Sequence, residues 1–523
     1  MNLESTITGK AWQKVGMHHH HGMNIPLASI HTKQSCGIGE YLDLLPLIDY
    51  LASIKFDVLQ LLPLNDSGLD HSPYSALSSR ALHPIYLSLH ALPHQSRELK
   101  LELKTFKSLN ASQKIPYLRV LNEKIRWLKK YFSEAKETIQ SDPDFQTFLE
   151  NNDWVQDYAL FKVLKERNHN QSWKKWKEEE KNLSKTARRK LLQNYAERAS
   201  FHITLQFLCH QQLKQVKLRA EEKQVFLMGD IPILVSPNSA DVWQRQDFFD
   251  LDQTAGSPPN SFDPKGQIWN LPLYNWKALE EDHFEWWRKR MQSASKYYDI
   301  YRIDHIIGFF RIWATSIGEK PETGSFIPND PALMEAQGRK LLKTLIGFTE
   351  MLPIGEDLGD PPPFINKCME EYGIPGLKIF RYNRNWKTDQ SFIPYAHYPP
   401  LTQCSVSTHD LETVQLWWEN NPQDATAYAA FKKWTYSPKL SPKNQFEILW
   451  DNHHCGSLFH INLLQEYLAL VPELTWEDPE EERINYPGTK STRNWSYRYK
   501  EPLEVLLKNE KLKNLFEKLL QNV

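Results

Sequence analysis

The sequence predicts an α/β fold: a (β/α)8 barrel with a large helical insertion between strands 2 and 3 and a lid insertion between strands 3 and 4. Three observations lead there. Eight short, apolar, β-prone segments recur along the 523 residues, and longer helical stretches separate them. Near-continuous apolar runs of this length suit parallel strands buried on both faces, joined by right-handed βαβ crossovers. Eight such units is the number that closes a barrel, and three carboxylates stand at strand carboxyl ends, where barrel active sites are built.

In chain order, the expected strands are 24–30 (NIPLASI), 56–64 (FDVLQLLPL), 225–235 (VFLMGDIPILV) and 299–304 (DIYRID). They continue at 351–356 (MLPIGE), 375–381 (PGLKIFR), 404–408 (CSVST) and 457–462 (SLFHIN). The interval 66–224 is too long for one crossover and reads as a mainly helical inserted subdomain. In it Trp154, Tyr158, Phe161 and Leu164 share one helix face, and 163–191 mixes acidic and basic residues as a solvated helical pair does. Residues 236–277 are rich in Pro, Asn and Ser and too long for an idle connector, which marks an active-site lid. The barrel itself then comprises 1–65 and 225–523.

Composition narrows the function. Lys and Arg number 63 against 64 Asp and Glu, a net charge of −1, which gives no electrostatic reason to expect nucleic acid or an anionic membrane as partner. No run approaches the roughly 18 apolar residues of a membrane span, and the opening MNLESTITGKAWQKV lacks an apolar signal core. Five cysteines form no CxxC pair, and their odd count fits a reducing, cytoplasmic setting. The run His18–His21 reads as metal-binding or as tag residue. Four consecutive imidazoles cannot all face one ion, and no carboxylate or thiol accompanies them in sequence, so no metal site is assigned. Nothing in the composition speaks to oligomeric state.

Aromatics are abundant, with 18 Trp, 22 Tyr and 24 Phe, and many stand beside polar residues: Trp173, Trp176, Trp269, Trp276, Trp286, Trp287, Trp417 and Trp418. Any one of them is ordinarily core packing. Together they suggest a cleft for an object with flat apolar faces and polar edges, such as a sugar ring.

Asp304 ends YRID, Glu356 ends LPIGE and Asp410 ends VSTHD, while Asp230 lies inside LMGDIPILV. A single carboxylate at a strand end usually caps a helix or pairs with a cation. Three on separate strands of one barrel converge on one mouth. Retaining glycoside chemistry uses such a set: a carboxylate nucleophile and a carboxylic acid that first protonates the leaving oxygen and then deprotonates the incoming hydroxyl. Arg302, two residues before Asp304, can hold a nucleophile ionised, and a carboxylate beside His409 can stabilise a cationic transition state. GxGxxG, GxxxxGK[ST] and HExxH are all absent.

YRIDHIIGFFRIW (301–313), GEDLG (355–359) and STHD (407–410) resemble the three catalytic motifs of the 4-α-glucanotransferases, also called amylomaltases. The resemblance extends through CGIGEY, SPYSALSSRALHPIYL, WVQDYALF, GDIPILVSPNSADVW, GQIWNLPLYNW, NYPGT and NWSYR, over nearly the whole chain. It implies that Asp304 is the nucleophile, Glu356 the acid/base, and Asp410 the residue that binds donor-sugar hydroxyls and stabilises the transition state. It further implies that Arg302 and His409 hydrogen-bond the donor sugar, that Tyr74 stacks on it, and that Trp269 lines the acceptor side. Asp230 joins them as a substrate-binding candidate. The resemblance implies α-1,4-glucans and glucose as substrates and no cofactor. The lid departs from the family pattern at Asn260, Asp263 and Lys265, which bears on acceptor preference and lid closure. Three other functions share parts of this reading: an α-1,4-glucan hydrolase using the same carboxylates, a non-catalytic glucan-binding protein, and a metal enzyme using His18–His21 or His453–His454–Cys455.

Overall fold

A computed structural model describes residues 2–260, 263–489 and 491–521. Ser261 and Phe262 of the expected lid, and the extreme terminal residues of the expected barrel segments, lie outside the described residues. The strands of the barrel are β1 (His20–Ile25), β2 (Val58–Leu61), β3 (Phe226–Ile231), β4 (Ile300–Ile303), β5 (Leu352–Gly355), β6 (Gly376–Ile379), β7 (Thr402–Ser405) and β8 (Phe459–Leu463). Each pairs in parallel with its chain neighbours, and β8 returns to β1 with His20 opposite Phe459, so the barrel closes. The fold is the expected (β/α)8 barrel. Expected segments two to six each enclose their strand, and the seventh and eighth overlap theirs.

The first strand is displaced. It was expected at 24–30 and runs instead over His20–Ile25, because Pro26 ends it and Leu27–Ser29 turns as a 3-10 segment. The apolar run beyond Pro26 is buried in a turn under the C-terminal segment, whose Tyr499 N–H donates to the Ser29 carbonyl at 3.0 Å. Strand alternation also splits the histidine run into two pairs that face opposite ways. His20 stacks on Phe459 inside the barrel, whereas His19 and His21 meet His460 and His453. The fold brings to the run a carboxylate that the neighbouring sequence lacks, and a thiol to the histidine packed against it. Asp57 Oδ2 lies 2.7 Å from His20 Nδ1 and 3.5 Å from His18 Nε2, and Cys455 Sγ is 3.6 Å from His460.

The amino-terminal end of the barrel is stoppered by apolar packing. Val58, Met228, Ile300, Leu352, Phe459 and Ile461 point inward and meet Trp12 from the helix Gly9–Val15. The Trp12 indole N–H donates to the Gly373 carbonyl at 2.8 Å, which fixes that helix across the opening.

Between β2 and β3 the chain is mainly helical, with Tyr117–Gln140, Pro143–Glu150, Trp154–Arg167, Lys185–Asn194 and Ala196–Glu222 as the longer elements. Tyr158, Phe161 and Leu164 are buried as their spacing requires. The last and longest helix packs on both Leu44–Ser53 and β3, so it serves as the crossover that returns the chain to the barrel. After β3, Gln253–Ser257 pairs antiparallel with Gln267–Ile268 on one side and with Ile312–Ser316 on the other, and Ser325–Ile327 completes the sheet. This small sheet ties the segment after β3 to the segment after β4. Gly256 permits it, since a Cβ there would meet the Gln267 carbonyl at 2.0 Å. Among the described residues, no helix is long and apolar enough to cross a membrane.

Candidate active site

β3, β4 and β5 end side by side, and their register sets the centre of the site. Asp230 on β3 is the direct register partner of Arg302 on β4, and Ile303 is that of Gly355 on β5. The Arg302 guanidinium thus lies among three carboxylates. Its Nη1 donates to Asp230 at 2.9 and 3.1 Å and to Asp304 Oδ1 at 2.9 Å, while Nη2 is 3.8 Å from Glu356 Oε2. Asp230 and Arg302 are buried, a position that ionised groups hold only when paired, as these are. The attraction of Asp230, with Tyr74, Asp304 and Glu356 behind it, outweighs burial and keeps the guanidinium charged.

Glu356 is electrostatically distinct from its neighbours. Burial pushes its carboxyl from 4.5 up to about 7, and the negative Asp304 adds to this. Arg302 and the N–H groups of Leu358 and His305, each 3.0 Å from a carboxylate oxygen, pull the other way and do not prevail. A carboxyl at about 7 can both give and accept a proton near neutral pH.

Asp410 shows the opposite balance. Burial alone would raise it, but His409, the Asn485 side-chain amide and Arg302 hold it at about 2. Asn485 Nδ2 donates to Asp410 Oδ1 at 2.7 Å, and His409 Nε2 lies 3.2 Å from Oδ2. His409 is buried under the Tyr74 ring, with stacked centroids 5.4 Å apart. The Tyr74 hydroxyl donates to Asp230 Oδ2 at 2.8 Å and sits 2.9 Å from His409 Nε2. Tyr74 therefore joins the Asp230–Arg302 pair to the His409–Asp410 pair. Below them the barrel interior stays polar, in a cavity of about 20 Å³ lined by Asn24, Gln60, Gln403 and Ser405, together with Arg302 and Glu356.

Seven of the eight residues singled out in the sequence (Asp230, Arg302, Asp304, Glu356, His409, Asp410 and Tyr74) form this connected network. The eighth, Trp269, directly follows the strand Gln267–Ile268 of the small sheet, with its ring edge-to-face on His305 at 5.0 Å, beside Asp304. Sequence reasoning assigned no role to three further residues. Asn485 holds Asp410, His305 carries Trp269, and Trp495 packs against both Tyr74 (5.7 Å) and His409 (5.8 Å). NYPGT and NWSYR contain two of them, and an Asn or Trp in an aperiodic polar loop was the available signal. The reading of the tryptophans as a collective sugar cleft is overturned for six of the eight: Trp173, Trp176, Trp286, Trp287, Trp417 and Trp418 are buried core side chains. Trp276, half-buried, packs on Tyr274 and Phe309.

Fold and site together define a parallel-barrel protein whose carboxylates and one arginine gather at the carboxyl ends of the strands. Residues 25–504 match the glycoside hydrolase family 77, described as 4-alpha-glucanotransferase. The 4-alpha-glucanotransferase of Chlamydia pneumoniae is 40% identical over 517 residues, covering 98% of this chain and 97% of the relative. That of Synechocystis is 29% identical over 484 residues, covering 88% and 90%. Among solved structures, the amylomaltase from Streptococcus agalactiae in complex with acarbose superposes with a TM-score of 0.78 at 24% identity, covering 96% of this chain and 99% of that one. The chain belongs to the 4-alpha-glucanotransferase family.

Proposed function

We propose that the protein transfers segments of α-1,4-glucan from maltooligosaccharides to the 4-hydroxyl of glucose or a glucan, by double displacement with retention. The observation that carries the mechanism is the pairing of a carboxyl at about 7, Glu356, with Asp304 across the shared Arg302 guanidinium. In the first step Asp304 attacks the anomeric carbon while Glu356 protonates the departing glycosidic oxygen. In the second, Glu356 takes the proton of the incoming 4-hydroxyl, whose oxygen displaces Asp304. Asp410, held ionised, faces the positive charge that develops on the sugar, and Tyr74 offers its ring to the donor sugar. Trp269, edge-to-face on His305 beside Asp304, is assigned to the acceptor side. No cofactor is needed for any step. The five free cysteines support a reducing, cytoplasmic setting.

Incubation with maltotriose alone tests this. Transfer yields glucose together with maltopentaose and longer chains at a nearly constant number of reducing ends. A steady rise in reducing ends without longer products would make the protein a hydrolase, and no change would make it a binding protein.

A further inference from the structure

We propose that His18, His20 and Asp57 form a divalent-cation site, suited to Zn²⁺, at the amino-terminal face of the barrel and remote from the carboxylates. Their nearest ligand atoms all lie within 4.8 Å of one another. A tetrahedral zinc with bonds of about 2.0–2.1 Å spaces its ligand atoms about 3.3 Å apart. His18 Nε2 and Asp57 Oδ2 already stand at 3.5 Å, and His20 Nδ1, at 2.7 Å from Oδ2, needs to open by only about 0.6 Å to reach that spacing.

The outer contacts are those of a ligating set. Ligating imidazoles bind through one nitrogen while the other donates to a carbonyl or carboxylate. The second nitrogen of His20, Nε2, faces the Gly16 carbonyl at 3.3 Å. Asp57 Oδ1 accepts from the His21 N–H at 3.0 Å, which leaves Oδ2 turned toward both imidazoles. Gly16 closes the arrangement. It has φ +99°, and a Cβ there would meet His18 Nδ1 at 2.7 Å, so the turn that ends the helix Gly9–Val15 leaves the room this ring occupies. The two rings stand with centroids 4.1 Å apart. His20 is fully buried, Asp57 is largely covered and His18 is 63% exposed, so solvent can fill the remaining coordination position.

An ion there would join the start of β1, the residue preceding β2 and the end of the helix that stoppers the barrel. Its role is structural, because the reacting carboxylates sit at the other end of the strands.

Calorimetric titration of the chelator-stripped full chain with zinc chloride tests the site, with Co²⁺ absorption reporting tetrahedral geometry. One ion per chain is expected. His18→Gln, at an exposed position that does not threaten folding, and Asp57→Asn should each weaken binding at least tenfold. Zinc should raise the melting temperature of the parent protein and leave that of His18→Gln unmoved. Transfer activity should be the same in both proteins, with or without metal. Absence of saturable binding, equal binding by His18→Gln, or loss of binding in Cys455→Ser instead would overturn the assignment.

Discussion

Replacing Glu356 by Gln should shift stability progressively in the variant's favour as pH rises. The folded carboxyl titrates at about 7 against an ordinary value of 4.5, and its side chain is only 13% exposed, so solvent screens little of the effect. Between these two values the folded chain holds a proton that the unfolded chain has released, and stability therefore falls as pH rises through the window. At about 1.36 kcal/mol per unit, the ionised carboxyl costs about 3 kcal/mol once pH exceeds 7. Gln carries no such cost, but it surrenders one of the two backbone N–H partners, Leu358 or His305, at a loss of about 1–3 kcal/mol that does not vary with pH. Comparing variant and parent at about pH 5 and again at about pH 8.5 cancels that constant loss, leaving a widening of about 2.5 kcal/mol in favour of Gln. Guanidinium unfolding curves at the two pH values measure it. A difference between variant and parent that stays constant across the two would refute the claim that burial raises Glu356.

The same carboxyl should make kcat/KM fall above about pH 7 in the parent protein, where Glu356 has lost the proton it must donate; a flat profile to pH 9 would exclude it as the acid. Asp304→Asn should abolish transfer and recover turnover with azide, giving an inverted glycosyl azide detectable by NMR, whereas an inverted azide formed only by Glu356→Gln would reverse the two roles. Tyr74→Ala should lower kcat/KM roughly ten- to a hundredfold through loss of about 1–3 kcal/mol of stacking, whereas Tyr74→Phe, which keeps the ring, should lose only a few-fold; equal losses would locate the effect in the hydroxyl bonded to Asp230. Asn485→Ala should raise the Asp410 carboxyl from about 2 and move the acid limb of the pH profile upward, with a fall in kcat/KM of about tenfold or more.

What the sequence made legible follows from which constraints are local. Asp304 and Glu356 could be read because each directly follows a buried apolar strand, and strand ends share one face of a barrel. β1 was misplaced because a third of it is histidine, and no local pattern says that His20 will stack on Phe459, 439 positions later. The small antiparallel sheet escaped notice because strands of two to five residues are too short to show alternation. Asn485 and Trp495 reach the site from loops late in the chain, where only the folded topology brings them beside Asp410 and Tyr74. The buried tryptophans show the reverse error: polar sequence neighbours on a helix belong to its other face, so they say nothing about where the indole itself points.

The pairing of β1 with β8 sets a schedule for synthesis. Ribosomes add roughly 5–20 residues per second, so about 20–90 s separate the emergence of the two strands. During that time β2 can occupy one side of β1 while the other side keeps its N–H and C=O groups unpaired, an open edge of the kind that recruits stray strands. The histidines along β1 leave that edge a poorer template than a valine-rich strand would be. Nascent chains halted before residue 459 should accordingly need a holding chaperone, and release past 463 should make them independent of it.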